Sequence, residues 1–267
     1  MIREFYTPST ISEAVELKKK FGDQITYYAG GTHINYAPTN NQITKVIGLG
    51  HLNLTHITED NEAVNIEAGV TLQQLIDSEL APKTLREACG LVITRNIRNM
   101  ATIGGNIAAQ RNDSPVIPYL IACGAQLEMD DQKQIGVENY IENQNNGLIV
   151  KVVVPKTKGS FSVKRVSRTA NGLTILSTAV KIERDQGNIS NAIIVVGGLE
   201  GRIFRLKDIE GELVNSQFSE PDKIEQKVAS LVQPKSDFMG SSQYKRYISG
   251  VTVVDSIKEC LEKGEVS

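Results

Sequence analysis

Hydrophobic and polar positions near the start of the chain repeat first with the period of a helix and then with that of strands. Thr10 and Glu13 match a helix N-cap signature, and apolar residues recur at helical spacing until Gly22. Short β-prone runs follow at 24–29 and 44–49. The pattern predicts one helix followed by two strands. The helix positions predicted to face the core are Ile11, Ala14, Val15 and Phe21.

The same pattern restarts near residue 55. Thr71 and Gln74 form a second capping signature before a helix that Pro82 closes, and Ser114-Pro115 marks the start of a short buried helix. Beyond Pro221 helical spacing returns, with Ile224, Val228 and Leu231 on one face and a last helix over 242–261. Strands are predicted over 63–68, 127–129, 148–154, 161–166, 175–182 and 192–196. The pattern therefore predicts three α+β units.

Composition and charge limit the kinds of partner. The chain has 267 residues, 40% of them apolar, without a long apolar run or a basic leader. Its net charge is −2, with no long block of one sign. We therefore expect a cytoplasmic protein that binds small molecules and other proteins, and neither nucleic acid nor a membrane.

Cysteines and histidines do not indicate a metal centre. Cys89, Cys123 and Cys260 are odd in number and far apart, which argues against a disulfide framework and against a CxxC cluster site. The three histidines show no metal-ligand spacing with cysteines or carboxylates. We expect no metal site within this chain.

Two glycine pairs, Gly30-Gly31 and Gly104-Gly105, lie in successive α+β units. A single pair is most often a turn. With Thr32 after the first pair, and Thr102 and Asn106 around the second, each segment combines backbone N–H groups with polar side chains. That combination would suit a dianionic pyrophosphate.

Common nucleotide and catalytic signatures do not explain these glycines. Gly48 and Gly50 begin a GxGxxG pattern, but Asn53 replaces the third glycine, which disfavours a Rossmann site. No GxxxxGK[ST] segment occurs, and no local Ser-His-Asp or Cys-His signature is present. We assign no catalytic residue and expect a cofactor to carry any chemistry.

Three segments, AGGTHI, IRNMATIGGNIA and GSSQYKRYI, resemble in order and spacing the FAD-binding medium subunit of molybdenum hydroxylases. That family contains the flavoprotein subunits of xanthine dehydrogenase and carbon monoxide dehydrogenase, and the resemblance covers nearly the whole chain. It implies an α+β, vanillyl-alcohol-oxidase-like (PCMH-type) FAD-binding fold. Residues 1–55 and 56–158 would be two subdomains that clasp FAD, and residues 159–267 a C-terminal domain covering the flavin.

The resemblance also implies the residues that bind FAD. Two loops would hold the cofactor, with glycine backbone close to the pyrophosphate, and Ile149 and Lys164 would lie near the flavin. Asp113 is the nearest match to an aspartate that follows the family's second loop, with helix capping as its alternative role. The full set is Tyr27, Tyr28, Ala29, Gly30, Gly31, Thr32, His33, Ile34, Thr102, Ile103, Gly104, Gly105, Asn106, Asp113, Ile149 and Lys164.

Two positions depart from the family pattern. His33 stands where relatives commonly carry an acidic residue or serine, so the polar contact there differs or the histidine faces solvent. Asn171 stands where many relatives carry an acidic residue, which leaves the use of NAD⁺ open.

The resemblance implies an electron-transfer role within a hetero-oligomer. A molybdopterin large subunit would hydroxylate the substrate, an iron–sulfur small subunit would relay electrons, and FAD would pass them to NAD⁺ or another acceptor. We expect permanent interfaces above about 2,000 Å² in total and no activity of the chain alone toward the hydroxylated substrate. Purines, carbon monoxide, aldehydes and aromatic heterocycles stay open as substrates. The alternatives are a stand-alone FAD-dependent oxidase or reductase of the same fold, and a nucleotide-binding scaffold without catalysis.

Overall fold

The computed structural model describes residues 2–36 and 43–263. Its strands are β1 (Glu4–Tyr6), β2 (Ile25–Tyr28), β3 (Lys45–Gly48), β4 (Ile57–Glu59), β5 (Ala63–Glu67), β6 (Gln126–Met129), β7 (Gln134–Gly136), β8 (Ile149–Pro155), β9 (Ser160–Ser167), β10 (Thr174–Asp185), β11 (Asn188–Gly197) and β12 (Phe204–Arg205). Its α-helices are α1 (Ile11–Phe21), α2 (Leu72–Asp77), α3 (Lys83–Gly90), α4 (Arg95–Arg98), α5 (Ile103–Ala108), α6 (Val116–Ala122), α7 (Val137–Glu142), α8 (Lys207–Leu213), α9 (Pro221–Leu231) and α10 (Ser242–Glu262).

The helix caps predicted from the sequence form with one difference. The Thr10 hydroxyl accepts from the Glu13 N–H at 3.2 Å, and Gly22 ends α1 with a φ of 57°. However, the Glu13 carboxylate accepts from the Ser9 N–H at 2.7 Å instead of completing a reciprocal box with Thr10. The complete capping box forms at the start of α2, where the side chains of Thr71 and Gln74 each accept from the other residue's N–H.

The first compact unit comprises Met1–Pro82, Ile93–Gln110 and Ala125–Pro155. It holds a parallel sheet in the order β1-β3-β2 and an antiparallel sheet in the order β4-β5-β8-β6-β7. A buried cluster of Ala14, Ile25, Ile47 and Leu148 packs α1 on the parallel sheet. This packing fixes the end of β2, where the first glycine pair begins.

The second compact unit comprises Lys83–Val92, Arg111–Gly124 and Lys156–Ser267. Its sheet is antiparallel in the order β12-β11-β10-β9, and α8, α9 and α10 contribute to its apolar core. Helices α3 and α6 belong to this unit although their sequence lies between strands of the first. Every residue of α6 is buried, so its sequence carries no amphipathic period that would reveal which sheet it covers.

Leu231, predicted to share an apolar face with Ile224 and Val228, is not buried with them. Ile224 and Val228 of α9 are buried, but Leu231 is 37% exposed and the fully buried residue is Val232, just past the helix. The chain leaves helical geometry at Val232, which has extended backbone angles, so the helical period no longer applies there. In residues 2–36 and 43–263, no helix is both long and apolar enough to cross a membrane.

Candidate functional site

A pocket in the first unit lies where the segment after β2, helix α5 and the residues before β8 come together. Eleven of the predicted site residues line it: Tyr27, Ala29, Gly30, Gly31, Thr32, His33, Ile34, Thr102, Gly104, Gly105 and Ile149. The pocket is also lined by Thr26, Leu49, Leu54, Ala68, Gly69, Ala108, Ala109, Tyr140, Asn146, Gly147 and Leu148, which sequence reasoning missed. Two sequence-distant glycine segments therefore share one pocket.

The first glycine pair forms a tight turn whose two glycines are required for different reasons. A Cβ on Gly30 would lie 1.6 Å from the Met100 carbonyl oxygen, so only glycine allows that backbone approach. Gly31 has a φ of 70°, a conformation that side chains disfavour. The turn closes through a hydrogen bond from the Asn35 N–H to the Gly31 carbonyl at 2.8 Å.

Backbone donors of this turn are available to a ligand. Among the residues that the structure describes, none accepts a hydrogen bond from the N–H groups of Gly30, Gly31 and Thr32. Successive unpaired N–H groups in a glycine turn form a concave site for anions. The first glycine segment can therefore bind a phosphate through its backbone.

Adjacent tyrosines of β2 have different positions. The Tyr27 side chain lines the pocket, and burial, with a smaller contribution from Asp130, raises its pKa to about 12, so the phenol stays neutral. The Tyr28 hydroxyl accepts from the Asn35 amide at 2.9 Å, and its ring packs edge-on against Phe5. Tyr28 therefore supports the turn and does not line the pocket.

The second glycine pair begins a helix and is not an extended loop. The Thr102 hydroxyl caps α5 by accepting from the Gly105 N–H at 3.0 Å. The N–H groups of Ile103 and Gly104 donate to the carbonyls of Val70 and Ala68 at 2.9 and 3.0 Å. These first-turn donors are already used within the protein, so this segment shapes the pocket and does not supply free backbone donors.

The glycines of the second pair also have separate roles. A Cβ on Gly104 would lie 2.6 Å from the Ala68 Cβ, so Gly104 permits α5 to pack tightly against the segment after β5. Gly105 is exposed and lines the pocket, and a Cβ there would meet only the Thr102 hydroxyl at 2.8 Å and, at 4.0 Å, the Ala29 Cβ. Gly105 therefore leaves space between the two glycine segments.

The remaining wall comes from the turn before β8 and from Tyr140. Asn146, Gly147 and Leu148 lead directly into Ile149, the residue that the resemblance placed near the flavin. An Asn-Asn-Gly sequence before a strand is a turn signal, and it could have indicated that this segment borders the site. Nothing in the sequence pattern could place Tyr140, which is fully buried on α7.

The other predicted site residues do not line this pocket. Ile103 is fully buried beneath α5, and Asn106 lies one turn into that helix. Asp113 and Lys164 belong to the second unit, and each has an ion-pair partner there, Asp113 with Arg111 and Lys164 with Glu259, both at 2.6 Å. Their assignment to the cofactor stays a prediction.

The closing sequence motif has a structural explanation within the second unit. The Ser241 hydroxyl caps α10 by accepting from the Tyr244 N–H at 3.1 Å. Lys245 is 5% exposed and pairs with Asp237 at 2.7 Å while donating to the Lys235 carbonyl at 3.1 Å. The motif thus fixes the segment before α10 onto the helix.

The electrostatics of the pocket suit an anionic ligand. Its lining residues in the described part of the chain include no aspartate and no glutamate. No group of three or more histidine, cysteine, aspartate or glutamate residues in the described ranges could hold a metal ion. The pocket combines free backbone donors with apolar walls, which is the arrangement that a nucleotide cofactor with an aromatic ring system needs.

Comparison with known sequences places these features in context. The family "FAD binding domain in molybdopterin dehydrogenase" matches residues 1–157, and the "CO dehydrogenase flavoprotein C-terminal domain" matches residues 161–260. The uncharacterized protein YgfM of Escherichia coli (strain K12) is 34% identical over 99% of both chains. The carbon monoxide dehydrogenase medium chain of Afipia carboxidovorans is 25% identical over 93% of both chains.

Solved structures share the fold. A carbon monoxide dehydrogenase from Hydrogenophaga pseudoflava matches with a TM-score of 0.89 at 22% identity, covering 98% of both chains. The Cu,Mo-CO dehydrogenase in its cyanide-inactivated form matches with a TM-score of 0.88 at 21% identity, covering 99% of both chains. These matches confirm the predicted α+β, PCMH-type FAD-binding fold.

Proposed function

The chain belongs to the family of FAD-binding domains of molybdopterin dehydrogenases, and we propose that it is the FAD-binding electron-transfer subunit of a multi-subunit molybdenum hydroxylase. FAD is its cofactor. The observation that carries the proposal is the pocket in which Gly30, Gly31 and Thr32 present N–H groups without an acceptor among the described residues. This is the donor set that a pyrophosphate requires.

The residues present fit FAD. Glycine at position 31 allows the turn, and the exposed Gly105 keeps the space between the two glycine segments open. Apolar groups, among them Ile34, Leu54 and Ile149, offer contact area for aromatic rings. Gly30, Gly31 and Thr32 would hold the pyrophosphate, and the surrounding apolar side chains would hold the ring systems.

Bound FAD supplies the chemistry of accepting electrons and passing them on, as flavins do. The chain contributes binding and orientation. Its neutral tyrosines and the lack of a lining carboxylate among the described residues keep negative charge away from the phosphates. The apolar walls exclude water from the rings, because burying apolar surface is favourable. No side chain of this chain is proposed to act as an acid or base.

Partner subunits complete the proposed enzyme. We propose an iron–sulfur small subunit as electron donor, a molybdopterin large subunit as the site of hydroxylation, and NAD⁺ or another compound as acceptor. The support is that relatives of nearly the same length are named medium chains or subunits of carbon monoxide dehydrogenase and nicotine 6-hydroxylase. Purines, as in xanthine dehydrogenase, are one proposed substrate class, and the choice lies outside this chain.

An absorbance spectrum tests the cofactor assignment. The purified chain is incubated with FAD, the excess is removed, and the bound cofactor is released and identified by chromatography. We expect bands near about 450 and 370 nm with close to one FAD per chain. A folded, colourless protein, both alone and with the iron–sulfur and molybdopterin subunits present, would favour the scaffold alternative. Anaerobic NADH is then added, and loss of the 450 nm band would identify NAD⁺ as an acceptor.

A further inference from the structure

Gln110 occupies an unusual backbone conformation directly after α5. Its φ is 46°, and its N–H donates to the Ile107 carbonyl at 2.9 Å, which ends the helix. Glycine adopts this left-handed conformation at lower cost than any residue with a side chain. A glutamine in this strained conformation indicates that its side chain has a role that glycine could not fill.

The Gln110 side chain reaches the turn before β8. Its Nε2 donates to the Asn145 carbonyl at 2.5 Å. The buried Tyr140 holds the same turn, because its hydroxyl donates to the Gly147 carbonyl at 3.5 Å and its carbonyl accepts from the Asn145 N–H at 3.1 Å. One amide thus connects the end of α5 with residues 145–147.

Both of those segments contribute residues to the pocket. Helix α5 carries Gly104 and Gly105, and the turn before β8 carries Asn146 and Gly147, all of which line the pocket. Both segments belong to the first compact unit. A connection between them sets how far apart the two walls lie.

We propose that Gln110 is a positioning residue that holds α5 and the turn before β8 at the separation FAD requires, while Tyr140 holds the same turn from its other contacts. The proposal rests on the proposed function, because it assigns Gln110 a role toward the same cofactor. Gln110 itself does not line the pocket, so it acts through residues 145–147 and not by touching FAD.

Gln132 provides a matched control. It has a φ of 63° and is exposed in the turn between β6 and β7, with its N–H donating to the Met129 carbonyl at 2.9 Å. Gln110→Gly and Gln132→Gly therefore relieve the same kind of backbone strain, but only the first removes the bridge. Gln110→Met retains the length of the side chain and the backbone strain while removing the amide.

The test measures FAD affinity by flavin fluorescence and thermal unfolding midpoints for the wild type and the three variants. We expect Gln110→Gly and Gln110→Met to bind FAD about threefold to tenfold more weakly, the change that losing one hydrogen bond produces. Gln132→Gly should bind FAD like the wild type. Gln132→Gly should unfold at or above the wild-type midpoint, because glycine relieves the backbone strain. Gln110→Gly should unfold near the wild-type midpoint, because the lost hydrogen bond offsets that relief.

Each outcome decides the proposal. Wild-type affinity in both Gln110 variants would overturn the positioning role and leave the proposed function intact. If FAD binding weakened only in a variant whose unfolding midpoint also fell, Gln110 would affect stability alone, and the proposal would be overturned as well. A wild-type chain that binds no FAD, either alone or with the iron–sulfur and molybdopterin subunits present, would overturn the proposed function and this inference together.

Discussion

At the residue scale, the four glycines of the two pairs are not interchangeable. Gly30 accommodates a carbonyl of the chain itself, Gly31 adopts a left-handed conformation, and Gly104 allows close helix packing. Gly105 alone is neither in a positive-φ conformation nor in contact with neighbouring backbone. Substitutions at the first three would disturb the fold along with any ligand, so Gly105 is the position that separates the two effects.

Gly105→Ala should weaken FAD binding about tenfold or more while changing stability little. The new methyl group lies between the two glycine segments and displaces the Thr102 hydroxyl, and losing that cap costs about 1 kcal/mol. Replacing glycine by alanine within a helix stabilises the helix by about 1 kcal/mol, so the two effects on stability nearly cancel. Flavin fluorescence titration and thermal unfolding measure the two quantities.

Gly211→Ala is the matched control for this substitution. Gly211 lies inside α8, and a Cβ there would meet nothing within 4 Å. It should raise stability by up to about 1 kcal/mol and leave FAD binding unchanged. If Gly105→Ala bound FAD like Gly211→Ala, the space at Gly105 would not belong to the cofactor site.

At the element scale, an ionic cluster joins strand β9 to helix α10. The Glu259 carboxylate accepts from Lys164 at 2.6 Å and from the Ser162 hydroxyl at 2.8 Å, and it pairs with Lys263 at 2.6 Å. Burial alone would raise the pKa of Glu259, but the hydrogen bonds from these three side chains outweigh it and lower the pKa to about 2. The cluster therefore stabilises the folded state through the ionised carboxylate.

The cluster predicts a pH dependence of stability. The folded-state pKa of about 2 lies below the ordinary value of 4.5, so the stabilisation is complete above pH 4.5 and is lost as the pH falls toward 2. Glu259→Gln should remove this dependence and lower stability at pH 7 by on the order of 1 kcal/mol, since solvent screens a side chain that is about one-third exposed. Urea unfolding at pH 7 and at about pH 3 measures both effects.

Glu220→Gln is the control for this prediction. Glu220 pairs with Lys223 at 3.3 Å, and both side chains are mostly exposed, so the substitution should leave the unfolding midpoint nearly unchanged at both pH values. If the wild type and Glu259→Gln lost the same stability between pH 7 and about pH 3, carboxylates other than Glu259 would cause the acid sensitivity.

Element prediction from sequence succeeded where the signal is local. The caps at Thr10 and Thr71 and the alternation in the strands are short-range patterns, and the elements they predict are present. Helix α5 was missed as a helix because two glycines and two β-branched isoleucines lower its helix propensity, and its first turn is held by carbonyls of residues distant in sequence. Tertiary hydrogen bonds decided that element.

At the scale of the whole molecule, the candidate site could be predicted only in part. The glycine pairs are visible as motifs, so the sequence indicated two of the pocket walls. Tyr140 and the Gly69 region reach the pocket through strand pairing and helix packing, which no local pattern encodes. The sequence also could not show that the Gly104 N–H already donates to the Ala68 carbonyl and the Ile103 N–H to the Val70 carbonyl.

The proposed division of roles among subunits leads to a prediction for the isolated chain. Cys89, Cys123 and Cys260 are buried and far apart in sequence, so this chain offers no cysteine cluster that could relay electrons to FAD. The FAD-loaded chain alone should therefore keep its absorbance near about 450 nm under anaerobic conditions when hypoxanthine, an aldehyde or carbon monoxide is added. Dithionite serves as the control, because it should bleach the same sample.

Adding the iron–sulfur and molybdopterin subunits should then permit bleaching by the substrate of the complex. The physical reason is that, in the proposed enzyme, this chain binds and positions FAD, while the hydroxylation site and the electron relay belong to the partners. Bleaching of the isolated chain by one of these compounds would instead place a substrate site at the flavin itself. In that case the stand-alone oxidase or reductase would replace the subunit as the better description of this protein.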